Sequence, residues 1–168
     1  MTAEQRRNAI LATLKGSDGP CNATALAKKF GVSRQVVVTD VALLRASGAA
    51  IQATPRGYVT DHGDSGLIRR LACCHAAAQM EDELCLIVDN GCAVLDVVVE
   101  HPVYGELVGS LQLKSRYDVS QFILQAHKAR PLSLLTEGIH LHTIACPDEE
   151  AFRRVHEALS AAGYLLGN

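Results

Sequence analysis

The stretch Asn22–Arg45, NATALAKKFGVSRQVVVTDVALLR, decides how the chain folds. Asn22 is a strong N-cap for a helix over Ala23–Phe30, with Leu26 and Phe30 one turn apart on the same face. Gly31 ends that helix, because glycine reaches left-handed backbone without steric cost. Ser33 then caps a further helix in which Val37, Val41 and Leu44 form an apolar stripe. Helix, glycine turn and capped helix make a helix-turn-helix.

The flanks extend this unit. Ala3–Lys15 places Arg6, Ile10, Leu11 and Leu14 at helical spacing, and Gly16-Ser17-Asp18-Gly19-Pro20 breaks it. After Gly48, the β-like runs Ala50–Ala53 and Tyr58–Thr60 flank Thr54-Pro55-Arg56-Gly57, a hairpin with a basic tip that reads as a wing. With Val37, Val41 and Leu44 turned inward, Arg34, Gln35, Val38 and Thr39 face outward at the start of the third helix. That end enters the major groove in such motifs, where Arg reads guanine, Gln reads adenine and Val touches a thymine methyl. Ser33 and the helix N-terminus suit a phosphate, and Arg56 suits a phosphate or the minor groove. A purely structural three-helix domain is the plainer alternative.

Charge separates the two readings. Residues 1–60 hold eight Lys/Arg against three acids, a net of +5, whereas the rest of the chain carries −7 within an overall −2. The first part suits double-stranded DNA and the second would be repelled by it. The chain of 168 residues therefore divides into a winged helix-turn-helix over 1–61 and a regulatory domain over 66–168. At 48% hydrophobic and 20% charged, neither part reads as disordered. No apolar run approaches the roughly 20 residues of a membrane helix, and the charged N-terminus argues against a secretory signal, so a cytoplasmic protein with no membrane partner is expected. The six cysteines contain no C-x-x-C pair and mostly sit in apolar company, which predicts reduced, buried thiols.

The acidic part alternates strands (Leu67–His75, Ala93–His101, Glu106–Leu113, Ile139–Cys146) with helices (Glu81–Asn90, Val119–Lys128, Asp148–Ala162). A small α/β sandwich, an antiparallel sheet with helices on one face, is the economical arrangement, and the whole chain is of α+β class. All seven histidines fall in this part. His140 and His142 lie two apart on a strand, so both rings project from one face and can clasp one metal ion. His75 closes the first strand as a third candidate, and Glu83, in the first turn of the next helix, is a plausible carboxylate. Three imidazoles and a carboxylate suit one Ni(II) or Zn(II) ion per chain rather than calcium or magnesium. Singly, each has a bland reading: a lone strand histidine is more often a surface group, and Glu83 alone reads as solvated helix. Arg116, at a helix start, reads as a salt bridge or an anion anchor. His62, His127 and His156 read as surface residues.

The segments Gly31-Val32-Ser33-Arg34-Gln35 and Asp40-Val41-Ala42-Leu43-Leu44-Arg45 resemble the winged helix of the niacin-responsive repressors of Firmicutes and Thermotogae. His75, the run His101-Pro102-Val103-Tyr104-Gly105-Glu106-Leu107, and His140-Leu141-His142 resemble signature positions of their 3H regulatory domain; Cys73-Cys74 and Val36-Val37-Val38 lie outside that pattern. The resemblance implies a metal site of His75, Glu83, His140 and His142. It also implies a homodimer on a palindromic operator that represses genes of NAD biosynthesis or niacin uptake, with nicotinate as co-repressor. Nicotinate is then expected beside the metal, its carboxylate held by Arg116 and its ring near His101 or Tyr104. Two alternatives remain: a repressor whose signal is the ion itself, and a metal-dependent hydrolase with Glu83 or Glu106 as base. The hydrolase is disfavoured, since no nucleophile elbow, phosphate loop or H-E-x-x-H motif occurs.

Overall fold

The computed structural model describes residues 1–60 and 66–167. The chain divides into two compact units, Met1–Asp64 and Ser65–Asn168. His62 and the junction expected at 61–65 lie outside the described residues.

The first unit contains α1 (Ala3–Lys15), α2 (Ala23–Phe30), α3 (Arg34–Ala46), β1 (Ile51–Thr54) and β2 (Gly57–Thr60). Each helix start is capped from the sequence itself: Thr2 and Gln5 bond reciprocally, Asn22 accepts from the Ala25 N–H at 2.7 Å, and Ser33 accepts from that of Val36 at 3.3 Å. Gly31 is left-handed, with φ 64°, and turns the chain from α2 into α3. Ile10, Leu14, Leu26, Val37, Val41, Leu44 and Ile51 form the buried core. Arg6 stands one turn before Ile10 on α1, at the helical spacing expected from the sequence. Its guanidinium makes a two-point ion pair with buried Asp40 of α3, at 2.6 and 3.3 Å, tying α1 to the helix that begins at Arg34. β1 and β2 form an antiparallel hairpin, and Cys21 bridges Tyr58 through two backbone bonds of 2.9 Å.

The second unit contains β3 (Leu67–Cys74), α4 (Met80–Asp89), β4 (Ala93–His101), β5 (Gly105–Leu113), α5 (Arg116–Ala126), β6 (Ile139–Cys146) and α6 (Glu149–Ala161). Its sheet is antiparallel in the order β3-β6-β4-β5. One face packs on the three helices: Leu71, Cys73, Val94, Leu111, Leu113, Ile144 and Cys146 meet Leu84 and Ile87 of α4, Val119 and Ile123 of α5, and Val155 and Leu159 of α6. α5 starts three residues before the Val119 expected from the sequence, because the Ser115 side chain accepts from the Asp118 N–H and caps it earlier. The C-terminal segment covers the edge of β3, where Cys74 N–H bonds Tyr164 O and Leu166 N–H bonds Ala72 O. Among the described residues, no helix is long and apolar enough to cross a membrane.

Candidate metal centre

The sheet register brings the histidines to the helix-covered face. Along β6 burial alternates, so His140, His142, Ile144 and Cys146 all point inward. The apolar half of this row continues the core, and the imidazole half lies under the start of α4. Three acids occupy the first turn of α4, where the helix dipole favours negative charge. Glu81 and Asp82 face outward, whereas Glu83 is fully buried. The reading of Glu83 as solvated helix surface is therefore excluded.

Glu83 is the hub. Its Oε2 lies 2.6 Å from His75 Nε2 and 3.3 Å from His142 Nε2, and its Oε1 lies 3.0 Å from His140 Nε2. The centroids of the His140 ring and each of the other two are 4.8 Å apart. Each Nδ1 sits 2.8 Å from a backbone carbonyl: Ala76 for His75, Gly138 for His140 and Asp96 for His142. A carbonyl can only accept, so each Nδ1 carries a hydrogen and donates it. A neutral ring then offers Glu83 only an Nε2 lone pair. Three acceptors would face a carboxylate that is itself an acceptor, at a position buried from solvent. Such an array needs positive charge at its centre, supplied by protons or by a cation. The same Nδ1–carbonyl bonds are how metal-ligating imidazoles are held in one tautomer and orientation.

Protonation follows the same logic. Burial alone would push Glu83 up, but the charge of His142 and hydrogen bonds from the three rings outweigh it and hold the carboxyl well below the usual carboxylate range. Burial likewise works against charged His75 and His142, yet the Glu83 carboxylate raises both above the ordinary imidazole value.

Two backbone features shape the site. Between Val94 and Asp96 the register of β4 shifts, a β-bulge. There the Asp96 carbonyl turns to His142, while the Asp96 carboxylate accepts the Thr143 N–H at 3.0 Å. At the start of β6, Gly138 has φ 91° and approaches His75 so closely that a Cβ would fall 2.4 Å from the His75 carbonyl oxygen. The Tyr164 ring packs edge-on against His75, at 5.3 Å between centroids, and its hydroxyl donates to Asp82 at 2.6 Å.

Cys73 completes the neighbourhood. It is fully buried on β3, directly across from His140 in the register, and its Sγ, a Glu83 oxygen and a His140 nitrogen all lie within 4.8 Å of one another. Burial first, and the Glu83 charge second, push its thiol up. Sequence reading treated Cys73 as an ordinary core thiol and passed over Asp96, Gly138 and Tyr164. Cys73 had a legible signal, the two-residue spacing Cys73-x-His75 that matches His140-x-His142. The Asp96 and Gly138 contributions are backbone carbonyls, for which side-chain identity carries no signal.

The other candidates lie elsewhere in their units. His101 and Tyr104 stack on each other at the β4–β5 turn, at 5.0 Å, and His101 Nδ1 accepts from the N–H groups of Val103 and Tyr104. Arg116 pairs at two points with Asp89 at the far end of α4, at 2.7 and 2.5 Å. Their hydrogen bonds and ring contact run to one another, to local backbone and to Asp89 rather than to His75, Glu83, His140 or His142. In the first unit Ser33, Arg34, Gln35 and Thr39 are exposed at the start of α3, with Val38 half-buried beside them and Arg56 half-buried in the β1–β2 turn. Lys29 is partly committed, donating to Thr13 at 3.0 Å and lying over the Phe30 ring.

Comparison with known proteins covers the chain nearly end to end. The 3H domain family matches residues 68–168, and an HTH domain family matches residues 6–59. The chain is 42% identical over 165 residues to the "Probable transcription repressor NiaR" of Thermotoga maritima, covering 97% of this chain and 94% of that protein. It is 44% identical over 169 residues to the "Transcription repressor NadR" of Bacillus subtilis, covering 96% and 93% respectively.

Proposed function

The chain belongs to the family of transcription repressors that join an N-terminal helix-turn-helix domain to a 3H domain, and from that premise we propose that it represses genes of NAD biosynthesis or niacin uptake with nicotinate as co-repressor. It is a regulator rather than an enzyme. One divalent transition ion per chain, nickel or zinc, is held by His75, Glu83, His140 and His142. The observation that carries this reading is the convergence of three Nε2 atoms on one buried carboxylate while every Nδ1 is committed to a carbonyl. A bound dication supplies the positive charge this array requires and, on a five- or six-coordinate ion, a position open to a pyridine nitrogen.

On the DNA side, exposed Arg34, Gln35 and Thr39, with Val38, read base edges while Ser33 and Arg56 take phosphates. Two copies read a palindrome. Support for a homodimer comes from the sheet face turned away from the helices, where Ile68, Val108 and Ile139 are 47%, 58% and 47% exposed. Nicotinate strengthens repression only if it binds the DNA-competent arrangement better than the alternative.

The test is an operator titration with metal alone, nicotinate alone and both, alongside the metal content of a His140→Ala/His142→Ala variant. A nicotinate requirement at saturating metal supports the reading; undiminished metal in the double variant removes the site. Arg116 is engaged by Asp89 and lies outside the imidazole cluster, which favours one second reading: a repressor for which the ion itself is the signal. In that case metal alone gives full operator affinity.

A further inference from the structure

The four-residue centre leaves a charge unbalanced. Three neutral imidazoles and one carboxylate around a dication sum to +1, in a place where no ligand side chain is more than 4% exposed. Buried net charge is strongly unfavourable unless an opposite charge lies in contact. The neighbouring acid, Asp82, is exposed and accepts the Tyr164 hydroxyl. Among the described residues, the anionic donor that can join the cluster is Cys73, which is grouped with Glu83 and His140 within 4.8 Å.

The strands repeat one device. β6 presents His140 and His142 two residues apart on its inward face, and β3 presents Cys73 on the same face with His75 two residues later. Glu83 closes the pocket from the helix side. Donors that share an ion at about 2.0–2.3 Å lie within about 4.6 Å of one another, close to the span of at most 4.8 Å that holds Cys73, Glu83 and His140.

We propose that Cys73 is a further ligand of this metal centre, its thiolate binding the ion together with Glu83 and the imidazoles. The inference rests on the metal-binding reading above. As the sulfur–metal bond forms, the thiol proton passes to solvent and no oxidation state changes. Thiolate and carboxylate together then balance the dication. A soft sulfur donor also moves the preference of the site away from manganese and toward cobalt, nickel and zinc.

The experiment strips the full-length protein of metal, loads it with Co(II) and records the absorption spectrum of wild type, Cys73→Ser, Cys73→Ala and His140→Ala/His142→Ala. Wild type is expected to show visible ligand-field bands together with a near-ultraviolet thiolate-to-cobalt charge-transfer band. Both Cys73 variants keep the visible bands and lose the charge-transfer band, and calorimetry counts one proton fewer released per ion. The double-histidine variant loses both signals. Visible bands without a thiolate band in wild type overturn the role of Cys73 while leaving the four-residue centre standing. A thiolate band that persists in the Cys73 variants belongs to another cysteine and also overturns it. No bound cobalt in wild type overturns both readings. If one substitution unfolds this buried position, the other variant and the wild-type spectrum still decide.

Discussion

Glu83 and the three imidazoles around it make stability depend on pH in opposite ways with and without metal. The His75 and His142 pKa values are raised, so their contribution is fully present below the ordinary imidazole value of about 6.5 and is lost as pH rises through the raised values. Glu83 is lowered, so its contribution is present above about 4.3 and is lost as pH falls through the lowered value. Metal-free protein is therefore expected to be most stable between about pH 4.5 and 6.5. An added ion replaces protons on the rings, and its stabilisation grows above that window. Thermal melts with and without chelator from pH 5 to pH 8 check this; a gap that narrows as pH rises would contradict it. Gly138 provides a second residue-scale expectation. Gly138→Ala combines a left-handed backbone with a Cβ against the His75 carbonyl, so it is expected to cost about 1–3 kcal/mol and to weaken metal binding by displacing His75. Chemical denaturation and a metal titration of this variant measure the two effects separately.

At the scale of elements, the β4 bulge and α3 have functions that the regular strand and helix around them do not. The bulge frees a carbonyl for His142, and Asp96 itself anchors Thr143 across the gap. Asp96→Ala removes that anchor while leaving all the metal ligands in place. It is expected to lower metal affinity by about 10–100-fold, the usual range for losing an outer-shell support. Unchanged affinity in a calorimetric titration would mean the bulge holds without its carboxylate. α3 is fixed to α1 by the Arg6–Asp40 pair on its inner side, which leaves Arg34 and Gln35 exposed at its start. Arg34→Ala is expected to cost about 1–3 kcal/mol at the operator and to relax one base position per half-site. Equal losses on operator and random DNA would assign Arg34 to phosphate instead.

For the whole molecule the consequential surface is the sheet face opposite the helices. Ile68 on β3, Val108 on β5 and Ile139 on β6 share that face across the antiparallel register. An Ile68→Asp/Val108→Asp variant places charge on it without touching the inward core or the imidazole cluster. Sedimentation is expected to find it monomeric, with metal content retained and operator affinity reduced, because one winged helix reads too few base pairs. A dimer that survives both substitutions would place the contact on another surface.

The sequence by itself determined the elements whose signals are local. Caps at Asn22 and Ser33, the turn at Gly31 and the stripe of Val37, Val41 and Leu44 act within a few residues, so the helix-turn-helix was legible, as was the antiparallel sheet with helices on one face. The shared face of His140 and His142 was legible too, since strand geometry alone dictates it. α5 begins at Arg116, which the sequence places at a helix start, although the helical pattern was followed only from Val119 because the Ser115 cap lies before it. Only tertiary structure decided that Glu83 is buried, because that depends on which face of α4 the sheet covers. It alone brought Glu83 to His140, 57 residues away, and set Cys73 opposite the same ring. It also turned the Asp96 and Gly138 carbonyls onto imidazoles. Those contacts are products of strand register and of one bulge, and register is fixed by the pairing of distant strands that no local spacing encodes.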